Sequence, residues 1–166
     1  MSISIAEADI TTFTADAIVN AANTQLAHGG GVCGAIFKAA GARKLRKACG
    51  ELSPIKTGEA VITPGFALRS RYIIHAVGPI YSPQSPEKSE RLLRLTYTNA
   101  LKCAVQNGCQ SVVFPLISSG IYGYPAADAL RVATSAILEF LREQDLEVTL
   151  VLLGEAALNA WKEFRW

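Results

Sequence analysis

The sequence has few charged residues and no long apolar run. Charged residues make up 18% of the 166 residues, apolar residues make up 50%, and the net charge is only +2. A chain of this composition is globular and not disordered. No apolar run approaches the roughly 20 residues that a membrane span needs, and the first residues lack the pattern of a signal peptide. We therefore expect a cytoplasmic protein that does not act on a membrane.

Cysteine is also scarce, and its spacing excludes the common metal motifs. Cys33, Cys49, Cys103 and Cys109 form no CxxC pair, and no histidine stands at ligand spacing from them. This pattern disfavours a zinc site. Disulfide bonds are not expected either, because a chain without an export signal stays where thiols are reduced. We predict no metal and no organic cofactor.

Positive charge is not concentrated as a nucleic-acid-binding surface requires. The densest run consists of Arg43, Lys44, Arg46 and Lys47, and we interpret it as the solvated side of a short helix. A nucleic-acid partner is therefore disfavoured. A single small anion remains compatible with this charge balance.

Short β-branched runs alternate with longer segments of helical periodicity. Several of the runs are apolar on both alternating faces, which is typical of inner strands covered on both sides. The candidate strands span residues 2–6, 17–21, 59–63, 72–77, 111–117 and 147–153. This alternation predicts one α/β domain over residues 1–166, built as a three-layer α/β/α sandwich.

The helical segments carry apolar stripes at i, i+3 and i+4 spacing. One stripe runs from Leu93 to Ala104, with Ser89 as a candidate N-cap and Gly108 as a candidate C-cap. A second stripe runs from Leu130 to Leu141, and residues 155–164 read as a short amphipathic helix that packs inward through its apolar side.

Two strand ends carry loops that are unlike the rest of the chain. Gly29–Gly31 follow Asn23 and precede an apolar helix, and "ISSGIYGYP" (117–125) follows an apolar strand and precedes another helix. Successive backbone N–H groups beside a helix N-terminus bind anions, and ligands of such sheets collect at the carboxyl ends of the strands. The two loops predict a diphosphate ligand. The alternative is that both glycine-rich turns serve packing alone.

Five segments in order resemble the macrodomain family, in its MacroD-like and viral-type branch: "ADIT", "IVNAAN", "HGGGVCGAIFKAAG", "YIIHAVGP" and "ISSGIYGYP". The resemblance extends over essentially the whole chain. It implies a mixed β-sheet between two helical layers, with ADP-ribose as the ligand and ADP-ribosylated proteins as partners. Many family members remove mono-ADP-ribose from acidic side chains or deacetylate O-acetyl-ADP-ribose. We expect a monomer.

The same resemblance implies the ligand-binding residues. Asp9, with the N–H of Ile10, matches the group that reads adenine, the alternative being that Asp9 only caps a local turn. Asn23 would bond the distal ribose, whereas we interpret Asn20 as bracing the loop. The other implied ligand-binding residues are Ala22, Gly30, Gly31, Val32, Cys33, Ser118, Ser119, Gly120, Ile121, Tyr122 and Leu153.

Four further side chains are interpreted one by one. Tyr122 matches an aromatic residue that orients the distal ribose in the family, or it fills the crevice wall. Leu153 stands where relatives often place an aromatic ring against adenine, so we expect a somewhat weaker affinity for the ligand. We interpret His28 as bonding a backbone carbonyl rather than acting as a base. His75 is interpreted as a core histidine.

Cys33 departs from the family pattern, in which an aspartate usually positions or activates the attacking water. The thiol could be a nucleophile, since a helix N-terminus lowers a thiol pKa, although a bound diphosphate opposes thiolate formation. It could be a filler in a slow hydrolase that relies on positioning and on the ligand's own phosphate. In the third interpretation the protein binds ADP-ribose without cleaving anything. We favour the slow hydrolase, with Asn23, Cys33 and Tyr122 as the candidate catalytic residues.

Overall fold

A computed structural model describes residues 3–164, and their six strands form one mixed sheet. In spatial order the sheet runs β1-β6-β5-β2-β4-β3. Neighbouring strands are parallel except β3, which pairs antiparallel with β4. The strands are β1 (Ile3–Ala6), β2 (Ala17–Ala22), β3 (Ala60–Pro64), β4 (Tyr72–Val77), β5 (Ser111–Pro115) and β6 (Glu147–Val151).

Helices cover both faces of the sheet, which confirms the predicted three-layer α/β/α sandwich. They are α1 (Gly31–Ala40), α2 (Ala42–Leu52), α3 (Pro86–Gln106), α4 (Ala126–Leu141) and α5 (Glu155–Glu163), and a 3-10 turn spans Ile10–Thr12. None of the helices within residues 3–164 combines the length and the apolarity that a bilayer crossing demands.

The side chains of the inner strands alternate between two cores, as the period of a β-strand requires. On β2, Val19 packs in a core with residues of α3, α4 and α5. Its neighbour Ile18 packs in a second core with residues of α1, α2 and the 3-10 turn. Both faces of β2 are therefore apolar because each face has its own helical layer.

The predicted strands agree with the observed ones to within two residues at each described end, and Ser2 of the first candidate strand lies outside the described residues. The left-handed glycine predicted just past the end of α3 is confirmed, since Gly108 follows the C-cap Asn107 and has a φ of 74°. The N-cap assignment was wrong, because α3 begins at Pro86 after Ser85. Proline is favoured in the first helical turn, and this places Ser89 inside the helix, where its Oγ accepts a hydrogen bond from the N–H of Ser82 at 3.1 Å.

The five parallel strands all end at the same edge of the sheet, which we call the carboxyl edge. The segments that leave β1, β2, β4, β5 and β6 are therefore brought together there. The 3-10 turn after β1 packs against α1 and β5, so it lies beside the glycine-rich segment that leads into α1. Both loops singled out from the sequence, together with Asp9 and Leu153, lie along this edge.

Candidate functional site

Asp9 caps the 3-10 turn at the carboxyl edge. Its Oδ1 accepts hydrogen bonds from the N–H of Thr11 at 2.9 Å and from the Thr11 hydroxyl at 2.7 Å. The side chain of Ile10 is buried under α1, which anchors the turn. No described residue donates to Oδ2 of Asp9, and the residue is exposed. Asp9 thus has a capping role and keeps one carboxylate oxygen for an external donor.

The side chain of Asn23 fixes the first loop, residues 23–30. Its Oδ1 accepts from the N–H of Ala27, and its Nδ2 donates to the Ala27 carbonyl, both at 3.0 Å. Asn20, which was expected to brace the loop, bonds His75 and the Cys33 thiol instead and makes no hydrogen bond to the loop backbone. Each amide atom of Asn23 can make one more hydrogen bond. Asn23 can hold the loop and contact a ligand at the same time.

Glycines allow the first loop to lie directly on the start of α1. An ideal Cβ placed on Gly34 would be 2.6 Å from the carbonyl oxygen of Gly29. Gly31, the first residue of α1, has a φ of +56°. The N–H groups of Gly31, Val32 and Cys33 have no acceptor within the helix. They form the start of a site that favours a negatively charged group.

The second loop, residues 116–124, is held by its serines and exposes its tip. Ser118 has a φ of 70° and is buried, and its Oγ donates to the Pro79 carbonyl at 2.8 Å. Its own carbonyl accepts from the N–H of Tyr124 at 2.9 Å, and Ser119 Oγ donates to the Leu116 carbonyl at 2.8 Å. Ile121, at the tip, is 97% exposed. The two serine hydroxyls thus brace the loop, and Gly120 and Ile121 at its tip are exposed.

Tyr122 and Leu153 lie at two further positions along the edge. Tyr122 is partly exposed, and its carbonyl accepts from the N–H of Tyr81 at 2.8 Å. Leu153 follows β6 and is 64% exposed. An aliphatic side chain this exposed offers a surface that a flat ring could cover. Ala22, the last residue of β2, is buried beneath the first loop.

Cys33 lies in the first turn of α1 and is only 7% exposed. Its Sγ donates to the Ala27 carbonyl at 3.6 Å and accepts from Nδ2 of Asn20 at 3.7 Å. The thiol therefore links the first loop to β2 and packs in the core beneath α1. Both of its polar contacts are made with the protein itself.

His75 lies under α1 and α2 in a chain of buried polar groups. Nδ2 of Asn20 is 3.0 Å from its Nδ1, and Oγ1 of Thr63 is 2.9 Å from its Nε2. Because the Asn20 amide donates to Nδ1, the ring carries its hydrogen on Nε2 and donates it to Thr63. Burial lowers the pKa of His75 to about 4. His75 is a neutral core histidine at pH 7.

This shift predicts a loss of stability in mild acid. The unfolded chain binds a proton at His75 below its ordinary pKa of about 6.5, whereas the folded chain binds it only near 4. Stability therefore falls as the pH decreases through this window. Between pH 7 and pH 5 the free energy of unfolding should drop by about 2 kcal/mol through this group alone.

Urea unfolding of the wild type and of His75→Gln at both pH values measures this contribution. The glutamine variant does not titrate, so its stability should change less with pH, by about that amount. Equal pH dependence in the two proteins would contradict the assignment.

His28 is exposed beside the first loop, and its ring stacks on Phe37. The two ring centroids are 4.9 Å apart and the planes differ by 7°. Among the described residues the His28 ring makes no hydrogen bond, so the predicted bond to a backbone carbonyl is absent. The neighbouring aromatic ring of α1 provides a flat partner that the imidazole covers instead.

The sequence did not reveal the residues that contact the two loops and hold them in place. Gly34 permits the approach of Gly29, and Gly78 permits that of the second loop. Tyr97 of α3 bonds to the backbone at the start of the second loop. The feature of the sequence that could have identified Tyr97 is its hydroxyl, which lies in the otherwise apolar stripe of α3. Across the described ranges, no three His, Cys, Asp or Glu side chains cluster as metal ligands.

Comparison with known proteins agrees with this geometry. The model of the Macro domain family matches residues 19–133. A Macro domain-containing protein of Chlorobaculum tepidum is 49% identical over 138 residues, covering 83% of this chain and 79% of that protein. The ADP-ribose glycohydrolase MACROD2 of Xenopus laevis is 43% identical over 141 residues, covering 85% of this chain and 34% of that protein.

Among solved structures, the Oceanobacillus iheyensis macrodomain with ADP superimposes with a TM-score of 0.89 at 45% identity, covering 96% of this chain and 87% of that one. A glycine-to-valine variant of the same protein was solved with ADPR. Two further variants replace an asparagine seven positions before that glycine and an aspartate three positions after it. Asn23, Gly30 and Cys33 have the same spacing.

Proposed function

Because the chain belongs to the Macro domain family, we propose that it binds ADP-ribose along the carboxyl edge. The observation that carries this proposal is the convergence there of Asp9 and the two loops. Oδ2 of Asp9 accepts from the exocyclic amino group of adenine. The diphosphate lies between the N–H groups at the start of α1 and the backbone of the second loop. Asn23 contacts the distal ribose.

We further propose that the protein slowly hydrolyses mono-ADP-ribosyl esters on acidic side chains of proteins, or the acetyl ester of O-acetyl-ADP-ribose. Water attacks the ester and its C–O bond breaks, which releases the free carboxylic acid and the ribose hydroxyl. Asn23 and the glycine backbone position the distal ribose, with Tyr122 against it. The phosphate of the ligand accepts a proton from the water. Positioning and oriented dipoles can supply much of a rate enhancement.

In this proposal Cys33 fills space in the first turn of α1 and takes no part in the chemistry. By spacing, it stands where the Oceanobacillus iheyensis macrodomain has the aspartate replaced in one variant. Its thiol donates to the Ala27 carbonyl and accepts from Asn20, so both of its hydrogen bonds are made within the protein. A lost acid–base group costs about 10²–10⁴-fold in rate, which leaves a slow enzyme.

One assay tests this proposal. A protein automodified on acidic residues is incubated with the wild type, and the release of ADP-ribose is measured. We expect slow release, at least tenfold slower release by Asn23→Ala, and a Cys33→Ala rate within roughly threefold of the wild type. A nucleophilic thiol would instead make Cys33→Ala lose more than about 10²-fold.

The alternative function is an ADP-ribose reader without catalysis. The observation that favours it is that Cys33 stands where an aspartate is usual in the family. ADP-ribose binding uses Asp9 and the two loops, none of which requires an aspartate at position 33. Calorimetry with ADP-ribose separates the two functions. A wild type that binds ADP-ribose and releases none above the buffer blank is a reader, and a wild type that does not bind it refutes both proposals.

A further inference from the structure

We propose that Tyr97, which lies on the opposite face of the sheet from α1, positions the second loop for the diphosphate and distal ribose. Tyr97 makes no contact with the ligand in this proposal, and it acts through Ile117 and Ser118. The inference rests on the proposed binding of ADP-ribose at the carboxyl edge.

The hydroxyl of Tyr97 makes two hydrogen bonds with the backbone where β5 ends. It donates to the carbonyl of Pro115 at 3.0 Å and accepts from the N–H of Ile117 at 2.9 Å. Tyr97 is fully buried, and burial raises the pKa of its phenol, so the hydroxyl stays protonated and can donate. One side chain of α3 thus fixes both the last residue of β5 and the residue before Ser118.

Between the end of β5 and Ser118, the Tyr97 hydroxyl takes the place of the strand ladder. Pro115 closes β5, and proline has no N–H with which to continue the ladder. Three residues later the chain passes through Ser118 at a φ of 70°, a conformation that L-residues rarely adopt. The N–H of Ile117 is buried, and without the Tyr97 oxygen it would lose its acceptor.

The neighbouring residue of α3, Thr96, lies at the end of β4, which is separated from β5 by β2 in the sheet. Oγ1 of Thr96 lies 3.1 Å from the carbonyl of Val77, the last residue of β4. A Cβ added to the following Gly78 would collide with the side chains of Ser118 and Ile117. The segments that follow β4 and β5 are therefore in close contact. A displacement of Ile117 would also shift Ser118 and the exposed tip of the second loop.

Tyr97→Phe tests the inference because it removes only the hydroxyl. The ring still packs on Phe114, whose centroid is 5.1 Å away. We expect ADP-ribose affinity to fall about tenfold, as for the loss of one or two buried hydrogen bonds at a binding loop. Adenosine lacks the diphosphate and the distal ribose, so its affinity, measured by NMR titration, should stay within roughly twofold.

Tyr72→Phe is the matched control. The Tyr72 hydroxyl contacts only the guanidinium of Arg71, at the opposite edge of the sheet, and the variant should bind both ligands as the wild type does. The amide resonances of residues 117–122 should move in ligand-free Tyr97→Phe and not in Tyr72→Phe. Unchanged ADP-ribose affinity in Tyr97→Phe, or an equal loss for both ligands, overturns the inference. Failure of the wild type to bind ADP-ribose overturns the proposed function and the inference together.

Discussion

Asp9→Asn is expected to weaken ADP-ribose binding at least tenfold while leaving the fold intact. The asparagine keeps Oδ1, which caps the turn by accepting from Thr11. Its Nδ2 replaces Oδ2 and would face the amino group of adenine, donor against donor. A hydrogen bond to a charged group contributes about 1.5–3 kcal/mol, and 1.4 kcal/mol corresponds to a factor of ten in affinity.

Isothermal titration calorimetry measures this effect, and Asp16→Asn is the matched control. Asp16 also caps backbone, since its Oδ2 accepts from the N–H of Gln110 at 2.7 Å, but it precedes β2 at the far edge of the sheet. Its asparagine variant should bind ADP-ribose with the wild-type affinity. Asp9→Ala removes the cap as well and should be at least as weak as Asp9→Asn. Wild-type affinity in both Asp9 variants would refute the adenine assignment.

Gly34→Ala is expected to reduce ADP-ribose affinity at least tenfold. The added methyl would lie 2.6 Å from the carbonyl oxygen of Gly29, which is backbone and cannot rotate away. The first loop must then move off α1, and the N–H groups that face the diphosphate lose their arrangement. Misplacing binding groups by about 1 Å can cost 10²-fold.

Gly50→Ala supplies the control for Gly34→Ala, because it is the same change in the neighbouring helix. Gly50 lies on the exposed side of α2, and no atom is within 4 Å of its added Cβ. Alanine is favoured over glycine in a helix by about 1 kcal/mol, so this variant should be more stable and bind normally. Calorimetry and urea unfolding are run on both variants. Normal binding by Gly34→Ala would show that the glycine contact is not needed.

The fold was predictable because each layer leaves its own periodicity in the sequence. Strands such as β5 are apolar on both faces, and this pattern requires helices on both sides. The start of α3 was misplaced because a serine cap and a first-turn proline are competing signals. Pro86 prevailed, since its fixed φ suits the first turn and its missing N–H costs nothing there.

The two asparagines of "NAAN" show what the sequence could not provide. β2 continues to Ala22, so Asn20 lies within the pleat and pairs across the sheet with His75. Asn23 is the first residue beyond the strand and is free to close the loop. The predicted strand, residues 17–21, already contained Asn20; what the sequence could not provide is the partner that its side chain meets across the sheet, because local propensity does not encode such contacts.

Contacts between segments that are far apart in the sequence could not be predicted either. Tyr97 belongs to an apolar stripe by its spacing, and only the packing of α3 on β5 brings its hydroxyl to Ile117. The collision that a side chain at Gly78 would cause likewise depends on where the second loop passes. Such contacts depend on tertiary packing, which local propensity does not encode.

The conformation of Ser118 has a further consequence for how the second loop would receive a ligand. A residue with a side chain at a φ of 70° is held against its own preference, at a cost of order 1–3 kcal/mol that surrounding contacts must offset. A glycine there would remove this cost and allow the ligand-free loop to adopt several conformations. With serine, the hydrogen bonds of Ser118 to Pro79 and Tyr124 hold one loop conformation, so a nucleotide that binds there would not have to order the loop.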